Sequence, residues 1–210
     1  MQRFTKPPTR KGSRVRISPS PHTMNTTPFA SRAGEKLDHA LKEFQIDVTS
    51  LICADFGASV GGFVDCLLQH GAQKVYAVET GYGELAWKLR NNPQVVVMEK
   101  TNAMHVVLPE KMDLITNDTS WTKQEKIIPN ILANLKEDGR IITLIKPHYE
   151  ADQRQLQKGK LDDETAEMVA KAVYGNLQHR FPIVGMGFTK SPIVGKKGGN
   201  SEYIALFRKH

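Results

Sequence analysis

Asp55-Phe-Gly-Ala-Ser-Val-Gly-Gly-Phe63 directly follows the apolar run 51–54, and the next apolar run, 75–78, is closed by Glu79. A strand, a glycine turn open enough for backbone to approach a ligand, a helix and a second strand ending in a carboxylate form the layout of a nucleotide-type cofactor site. The interval of 22 residues from Gly57 to Glu79 matches the roughly 20 that separate such a turn from a ribose-binding acid. Gly57-x-x-x-Gly61-Gly62 lacks the middle glycine of G-x-G-x-x-G, the one that lets backbone touch a pyrophosphate, so the spacing disfavours a dinucleotide. S-adenosylmethionine has an adenosine and no phosphate, and a looser turn suits it. Taken alone, the glycines also fit a purely steric strand-to-helix turn.

Outward from this stretch, strand and helix patterns alternate. Ser31 is placed to cap a helix with the apolar stripe Ala33, Leu37, Ala40, Leu41 and Phe44, and Glu35 lies in its first turn, as the helix dipole prefers. The patterns then predict strand 51–56, helix 62–70, strand 73–79, helix 83–90, strand 94–99, strand 112–117, helix 123–135, strand 140–146, helix 161–179, strand 181–188 and strand 202–208. Alternation on this scale predicts an α/β fold, a mostly parallel sheet with helices on both faces. No internal repeat is visible. The polar segments 147–160 and 189–201 are long enough to be lids.

The 210 residues suffice for one α/β core with some peripheral sequence, read as an arm over 1–30 and a folded domain over 31–210. No apolar run reaches the ~20 residues needed to span a bilayer, and no secretory apolar region is present. Cys53 and Cys66 are 13 apart with no CxxC and no nearby histidine pair. They read as buried thiols in a reducing compartment, with no disulfide and no metal. Residues 1–34 hold Arg3, Lys6, Arg10, Lys11, Arg14, Arg16 and Arg32 with no acid. Removing those seven from 29 basic residues leaves 22, equal to the 22 acidic ones, so the net charge of +7 lives in the arm. With Pro7, Pro8, Pro19, Pro21 and Pro28 beside that charge, the arm is expected to stay disordered until it meets a polyanion such as RNA. A start at Met24 and an Arg- and Ser-rich transit peptide are its other readings. The compartment expected is the cytoplasm, with organellar import through the arm as the alternative.

In such sheets ligands bind beyond the carboxyl ends of the strands. The residues there are Gly57, Glu79, Asn102, Asp118 and Lys146, the last kept extended by Pro147. An antiparallel final strand would begin at the same edge, adding Glu202.

Ser31-Arg-Ala-Gly-Glu-Lys-Leu37, Asp55 to Leu68, Tyr76-Ala-Val-Glu-Thr-Gly-Tyr-Gly-Glu-Leu-Ala-Trp-Lys-Leu-Arg90 and Leu144-Ile-Lys-Pro-His-Tyr-Glu150 resemble the TlyA family of ribosomal-RNA methyltransferases, also called haemolysin-like, within the wider FtsJ-like group. The resemblance covers 31–208. It implies a Rossmann-like methyltransferase sheet of seven strands with the last antiparallel, and methyl transfer from S-adenosylmethionine to a ribose 2′-hydroxyl, on cytidines of ribosomal RNA. It also implies a catalytic tetrad at Lys36, Asp118, Lys146 and Glu202. The turn residues Gly57, Ala58, Ser59, Gly61, Gly62 and Phe63 are assigned to the methionine half of the cofactor, Glu79 to its ribose, Asn102 to its adenine and Asp118 to its amino group.

A ribose hydroxyl is a very weak acid, so its attack on a sulfonium methyl calls for a base. An unperturbed lysine, near ~10.4, is almost wholly protonated at neutral pH. A second ammonium and partial desolvation both favour the neutral amine, which gives Lys36 a part in preparing Lys146. Asp118 and Glu202 would orient the lysines, and in-line alignment of oxygen, methyl and sulfur would supply much of the acceleration. The bland readings are a helix cap at Asp118, surface charges at Lys36 and Glu202, and a solvated ammonium at Lys146. Trp87 and Tyr82 read as packing residues and His148 and Tyr149 as contacts for a splayed nucleotide. Lys158, Lys160, Lys190, Lys196 and Lys197 read as phosphate contacts or solvated loop charge.

The chain departs from the family pattern in three places. The arm stands where the family has a small RNA-binding module, Glu79 stands where it usually has Asp, and Thr119-Ser-Trp121 stands where it usually has Val-Ser-Phe. A catalytically idle ribosome-assembly factor is the alternative function, and a membrane-active protein a third, disfavoured by the lack of an apolar span.

Overall fold

The structure, a computed structural model, describes residues 27–195 and 199–210. The arm up to residue 26, with all its basic residues but Arg32, and Lys196 and Lys197 lie outside the described residues. Seven strands form one sheet: β1 (Ile52–Phe56), β2 (Lys74–Val78), β3 (Val95–Met98), β4 (Met112–Asn117), β5 (Leu135–Ile145), β6 (Ile183–Lys190) and β7 (Tyr203–Lys209). Their order is β3-β2-β1-β4-β5-β7-β6. The pairs from β3 to β5 are parallel, and β7 runs antiparallel to both β5 and β6. The mostly parallel α/β sheet expected is therefore present.

Among the described residues six α-helices accompany it: α1 (Ala33–Glu43), α2 (Gly62–Gln69), α3 (Trp87–Arg90), α4 (Gln124–Asn134), α5 (Pro147–Glu150) and α6 (Asp163–Arg180). Side chains alternate across each strand, so β1 sends Cys53 to one face and Ala54 and Phe56 to the other, while β5 splits Ile142 and Leu144 from Ile141 and Ile145. The first face packs α1 and α2 through Leu37, Leu41, Phe63 and Leu67; the second packs α4 and α6 through Ile127, Ile131, Ala170 and Leu177. No side chain caps α1 at Arg32, and the Ser31 hydroxyl accepts only from the Ala33 amide, at 3.3 Å. Burial of Leu37 and Leu41, at about 1.5–3 kcal/mol each, therefore outweighs capping in holding this helix.

Several boundaries differ from the sequence reading. The helix expected over 83–90 shrinks to α3, because Gly83 takes φ 75° and gives its amide to Glu99 Oε1 at 2.8 Å. β5 begins at Leu135, five residues before the predicted start, through a polar stretch in which Asp138 adopts φ 60°. Segment 147–160 carries α5, a 3₁₀ turn (Gln153–Gln155) capped by Asp152, and the bridge between Gln157 and Lys160. β6 extends through Thr189 and Lys190, and Lys190 pairs with Asp163 at 3.4 Å while Lys158 and Lys160 are exposed. Phe29 is buried and the Ala30 amide donates to Asp65 Oδ2 at 2.6 Å, which fastens the end of the arm to α2.

Candidate active site

Strand order reverses between β1 and β4, so the chain leaves their carboxyl ends in opposite directions and opens a crevice there. A cavity of about 670 Å³ occupies it, lined by Gly57, Ala58, Ser59, Phe63, Glu79, Asn102, Asp118, Lys36, Lys146 and Glu202 among others. That volume falls in the range of small-molecule sites, roughly 300–1,000 Å³.

Backbone geometry builds the wall beside β1. Gly57 has φ 87°, and a Cβ there would sit 3.1 Å from the Thr119 amide and 3.2 Å from the Asp118 carbonyl carbon. Only glycine lets β1 and β4 approach so closely at their tips. Gly61 and Gly62, expected at the cofactor, do not line the cavity. Gly61 lies under Leu85 and Leu89, and Gly62 lies against Ser31, Ala33 and Gly34 of α1 and its entry. The missing side chain at Gly62 lets α1, the helix from which Lys36 enters the site, approach α2.

Glu79 Oε2 accepts from the Ser59 amide at 2.8 Å, and Oε1 accepts from the Gly81 amide at 2.8 Å and the Thr80 hydroxyl at 3.0 Å. The carboxylate therefore ties the glycine turn to the end of β2 and retains lone pairs for a diol. Asn102 lines the next stretch of wall, its side-chain oxygen taking the Met104 amide at 2.9 Å. Asp55, which the sequence reading quoted without a role, is buried at the floor. Burial pushes its carboxyl up to about 8, although Thr116 donates a hydrogen bond to Oδ1 at 2.8 Å.

The four tetrad candidates come from four separate elements and converge. Lys36 on α1 meets Glu202, just before β7, at 2.5 Å and Asp118 Oδ2 at 3.9 Å. Asp118, just past β4, meets Lys146, just past β5, through Oδ1 at 2.5 Å. Lys146 Nζ also donates to the backbone oxygens of Asp118 at 3.0 Å and Thr119 at 3.2 Å and to Ser120 Oγ at 3.4 Å. Asp118 stands between the two lysines and offers one oxygen to each. The charges run Glu202, Lys36, Asp118, Lys146, alternating in sign. Asp118 Oδ1 touches Lys146 Nζ at ion-pair distance but at angles that make no hydrogen bond, and it remains a buried acceptor without a donor, as do Thr119 Oγ1 and His148 Nδ1. All three residues line the cavity, so its wall holds unspent polar atoms that a polar ligand would satisfy.

Aromatic rings stand at the mouth beside Lys146. Trp121 is 78% exposed at φ 64°, its ring centroid 5.2 Å from that of Tyr149, and the His148 ring lies 4.1 Å from Tyr149 with the two planes tilted by 51°. Burial and the neighbouring Lys146 ammonium hold the His148 imidazole below its usual value. Tyr82 and Trp87 are corrected from packing residues to surface ones, at 74% and 77% exposure. One turn of helix buries only Leu89, and Tyr82 lies flat under Lys100 Nζ, 4.6 Å from its ring centre. Cys53 and Cys66 are buried free thiols, Cys53 pushed up to about 12 by burial and Cys66 also raised by it. Among the described residues no group of three His, Cys, Asp or Glu side chains is placed to hold a metal, and no helix is long and apolar enough to cross a membrane.

A seven-stranded sheet with one antiparallel strand, a glycine turn facing an acid at the tip of β2, and a lysine–carboxylate cluster at the same edge define the class of Rossmann-like methyltransferases. The chain belongs to the FtsJ-like methyltransferase family, whose model matches residues 29–209. Hemolysin A of Brachyspira hyodysenteriae is 39% identical over 210 residues, covering 95% of this chain and 85% of that protein. The 16S/23S rRNA (cytidine-2′-O)-methyltransferase TlyA of Mycobacterium tuberculosis is 36% identical over 187 residues, covering 86% of this chain and 68% of that protein. A crystal structure of a Lactococcus lactis protein provisionally called a hemolysin superposes with a TM-score of 0.81 at 35% identity, covering 87% of this chain and 89% of that one.

Proposed function

We propose that the chain transfers a methyl group from S-adenosylmethionine to a ribose 2′-hydroxyl of ribosomal RNA, with cytidine as the target and the cytoplasm as the compartment. The observation that carries this reading is the convergence of Lys36, Asp118, Lys146 and Glu202 on one edge of the cavity in alternating charge order, Asp118 half-buried and the other three buried. The cytidine target rests on the name of the Mycobacterium tuberculosis relative.

When bound, S-adenosylmethionine supplies a methyl group already activated on a sulfonium. Glu79 would hold the ribose hydroxyls of the cofactor, Asn102 and the backbone after it the adenine, and the 57–59 turn with Asp118 the amino-acid end. Lys146 Nζ, in its neutral amine form, would take the proton of the target hydroxyl while that oxygen bonds to the methyl carbon and the methyl–sulfur bond breaks, leaving the sulfur as a neutral thioether. Asp118 and the two backbone carbonyls fix that amine in place, and Lys36, held by Glu202, steadies Asp118 from the other side. Positioning of this kind supplies much of the rate in a displacement that needs three atoms in line. Trp121, Tyr149 and His148 would take the base of a nucleotide turned out of its strand.

Incubation with ribosomal RNA and methyl-labelled cofactor, followed by mapping of modified riboses, tests the reading. The expected result is 2′-O-methylation that disappears in Lys146→Ala. Micromolar cofactor binding with no transfer to any RNA would replace the enzyme with the assembly-factor reading.

A further inference from the structure

Beneath the tetrad lies a fully enclosed polar network that the chemistry above does not use. Asn117, immediately before Asp118, donates from Nδ2 to Thr143 Oγ1 at 2.8 Å and to Gln124 Oε1 at 3.4 Å. Thr143 Oγ1 donates to the same Gln124 oxygen at 2.7 Å, and Gln124 Nε2 donates to the Leu144 carbonyl at 2.9 Å. Asn117, Thr143 and Gln124 are all buried. Asn117 and Thr143 are register partners across β4 and β5, so the Gln124 amide spans both strands, touching β4 one residue before Asp118 and β5 three and two residues before Lys146, at Thr143 and Leu144.

Gln124 is also the first residue of α4, and its backbone amide donates to Glu150 Oε1 at 2.7 Å. Glu150 ends α5, the turn that carries His148 and Tyr149 directly after Lys146. One residue thus joins the tip of β4, the tip of β5 and the start of α4 to the aromatic mouth. The loop 118–123 leaves from Asn117 and returns at Gln124, with both ends fixed by the same amide. Among the described residues that loop supplies the ion-pair partner of Lys146 Nζ, Asp118 Oδ1, and its three hydrogen-bond acceptors, the Asp118 and Thr119 carbonyls and Ser120 Oγ.

A buried amide is costly unless every partner is met, and an apolar side chain would fill the space at lower risk. Here the amide is satisfied at both ends by the two strands that carry the reacting lysine and its carboxylate. We propose that Gln124 is a positioning residue: it clamps the 118–123 loop onto β5, so that the Lys146 amine is held at one place on the cavity edge. The kinetic side of this inference rests on the methyl-transfer reading.

Gln124→Met keeps the volume and removes the amide. Relative to the unsubstituted protein, kcat for methyl transfer is expected to fall about 100-fold, the scale at which a displaced reacting group loses rate. The dissociation constant of the cofactor and the KM for RNA should stay within twofold. Thr143→Val, which removes one link and leaves Gln124, should show a smaller loss of the same kind and covers the case in which Gln124→Met does not fold. A second readout needs no activity: reductive methylation of lysines followed by mass spectrometry. Lys146 should react at least fivefold faster in either variant, with exposed Lys171 as the internal standard. Unchanged kcat and unchanged Lys146 labelling in a folded variant would overturn the clamp. So would kcat, KM and cofactor affinity weakening together with no change in labelling, which is the pattern of a structural role alone. If the unsubstituted protein methylates no RNA, the functional reading fails and the labelling rates still decide the clamp.

Discussion

The pair Lys36–Glu202 allows stability and catalysis to be separated in one experiment. Its atoms approach to 2.5 Å with side-chain exposures of 9% and 5%, while the Asp118 oxygen nearest Lys36 lies at 3.9 Å. Breaking a buried ion pair by removing one partner costs about 3–5 kcal/mol, because the remaining charge is stranded. A loss of that size is a large share of the roughly 5–15 kcal/mol of a typical domain. Lys36→Met should fall at the upper end, since Glu202 loses its only cation among the described residues; Glu202→Leu should fall at the lower end, since Lys36 keeps Asp118. Replacing both partners by apolar groups of similar volume is often neutral or stabilising. The double variant should therefore unfold within about 1 kcal/mol of the original, a non-additivity that marks direct coupling. Urea midpoints at constant slope measure this, and methyl transfer is assayed on the same preparations. The expected outcome is restored stability with transfer still lost, because Asp118 then keeps Lys146 at Oδ1 but has lost the Lys36 cation beside Oδ2. A double variant that is both stable and fully active would show the pair to be a structural prop and would remove two of the four residues from the site.

Four further outcomes follow from the same geometry. Asp118→Asn leaves Lys146 without its carboxylate and should slow transfer by about 10²–10⁴-fold, the range for lost proton-transfer machinery, with cooperative unfolding retained; wild-type rates would contradict the tetrad. Glu79→Ala frees the Ser59 and Gly81 amides and removes the diol acceptor, so calorimetry should show cofactor affinity down by at least about tenfold, one to two hydrogen bonds' worth; unchanged affinity would move the ribose elsewhere. Trp121→Ala should raise the KM for RNA by roughly 5–150-fold, equivalent to ~1–3 kcal/mol of base stacking, without altering cofactor binding, and an equal KM in both proteins would exclude the ring from the RNA path. Asp55 has a folded-state value raised to about 8 against an unfolded value near ~3.9. Its contribution is therefore fully present below the unfolded value and is lost as pH rises through the folded one. Asp55→Asn should gain stability over the original progressively from pH ~4 to ~8 and level off above, as read from urea midpoints across pH; a difference that does not vary with pH would show the carboxyl to be ionised throughout.

How much of this was legible in the sequence depends on which force fixed each feature. The sheet and its parallel run follow from apolar periodicity and turn chemistry, the antiparallel last strand is what the family resemblance implies, and the structure has all three. Gly57, Glu79, Asn102, Asp118 and Lys146 could be placed by strand-end logic because a parallel sheet delivers its carboxyl ends to one edge. Lys36 could not, since it comes from a helix. Its entry depends on how closely α1 approaches α2, which is set by the missing side chain at Gly62. The resemblance assigns that glycine to the cofactor, whereas the contacts it makes are with α1 and its entry. Tyr82 and Trp87 were misread for a related reason: an apolar ring predicts burial only when an element is long enough to have an inner face, and α3 is four residues long.

Gln124 shows the limit most clearly. A glutamine at the start of a helix ordinarily faces water, and nothing in its neighbours Lys123 and Glu125 says otherwise. It is buried because β5 sends Thr143 and the Leu144 carbonyl toward it and β4 sends Asn117, partners that are 19, 20 and 7 residues away along the chain. Hydrogen-bond satisfaction inside a core is decided by tertiary register, which periodicity does not encode. The residues that perform chemistry at strand ends are thus recoverable from local sequence, whereas the residues that hold them there are recoverable only from the folded chain. For this site the second group sets whether the Lys146 amine and the Asp118 carboxylate meet at all.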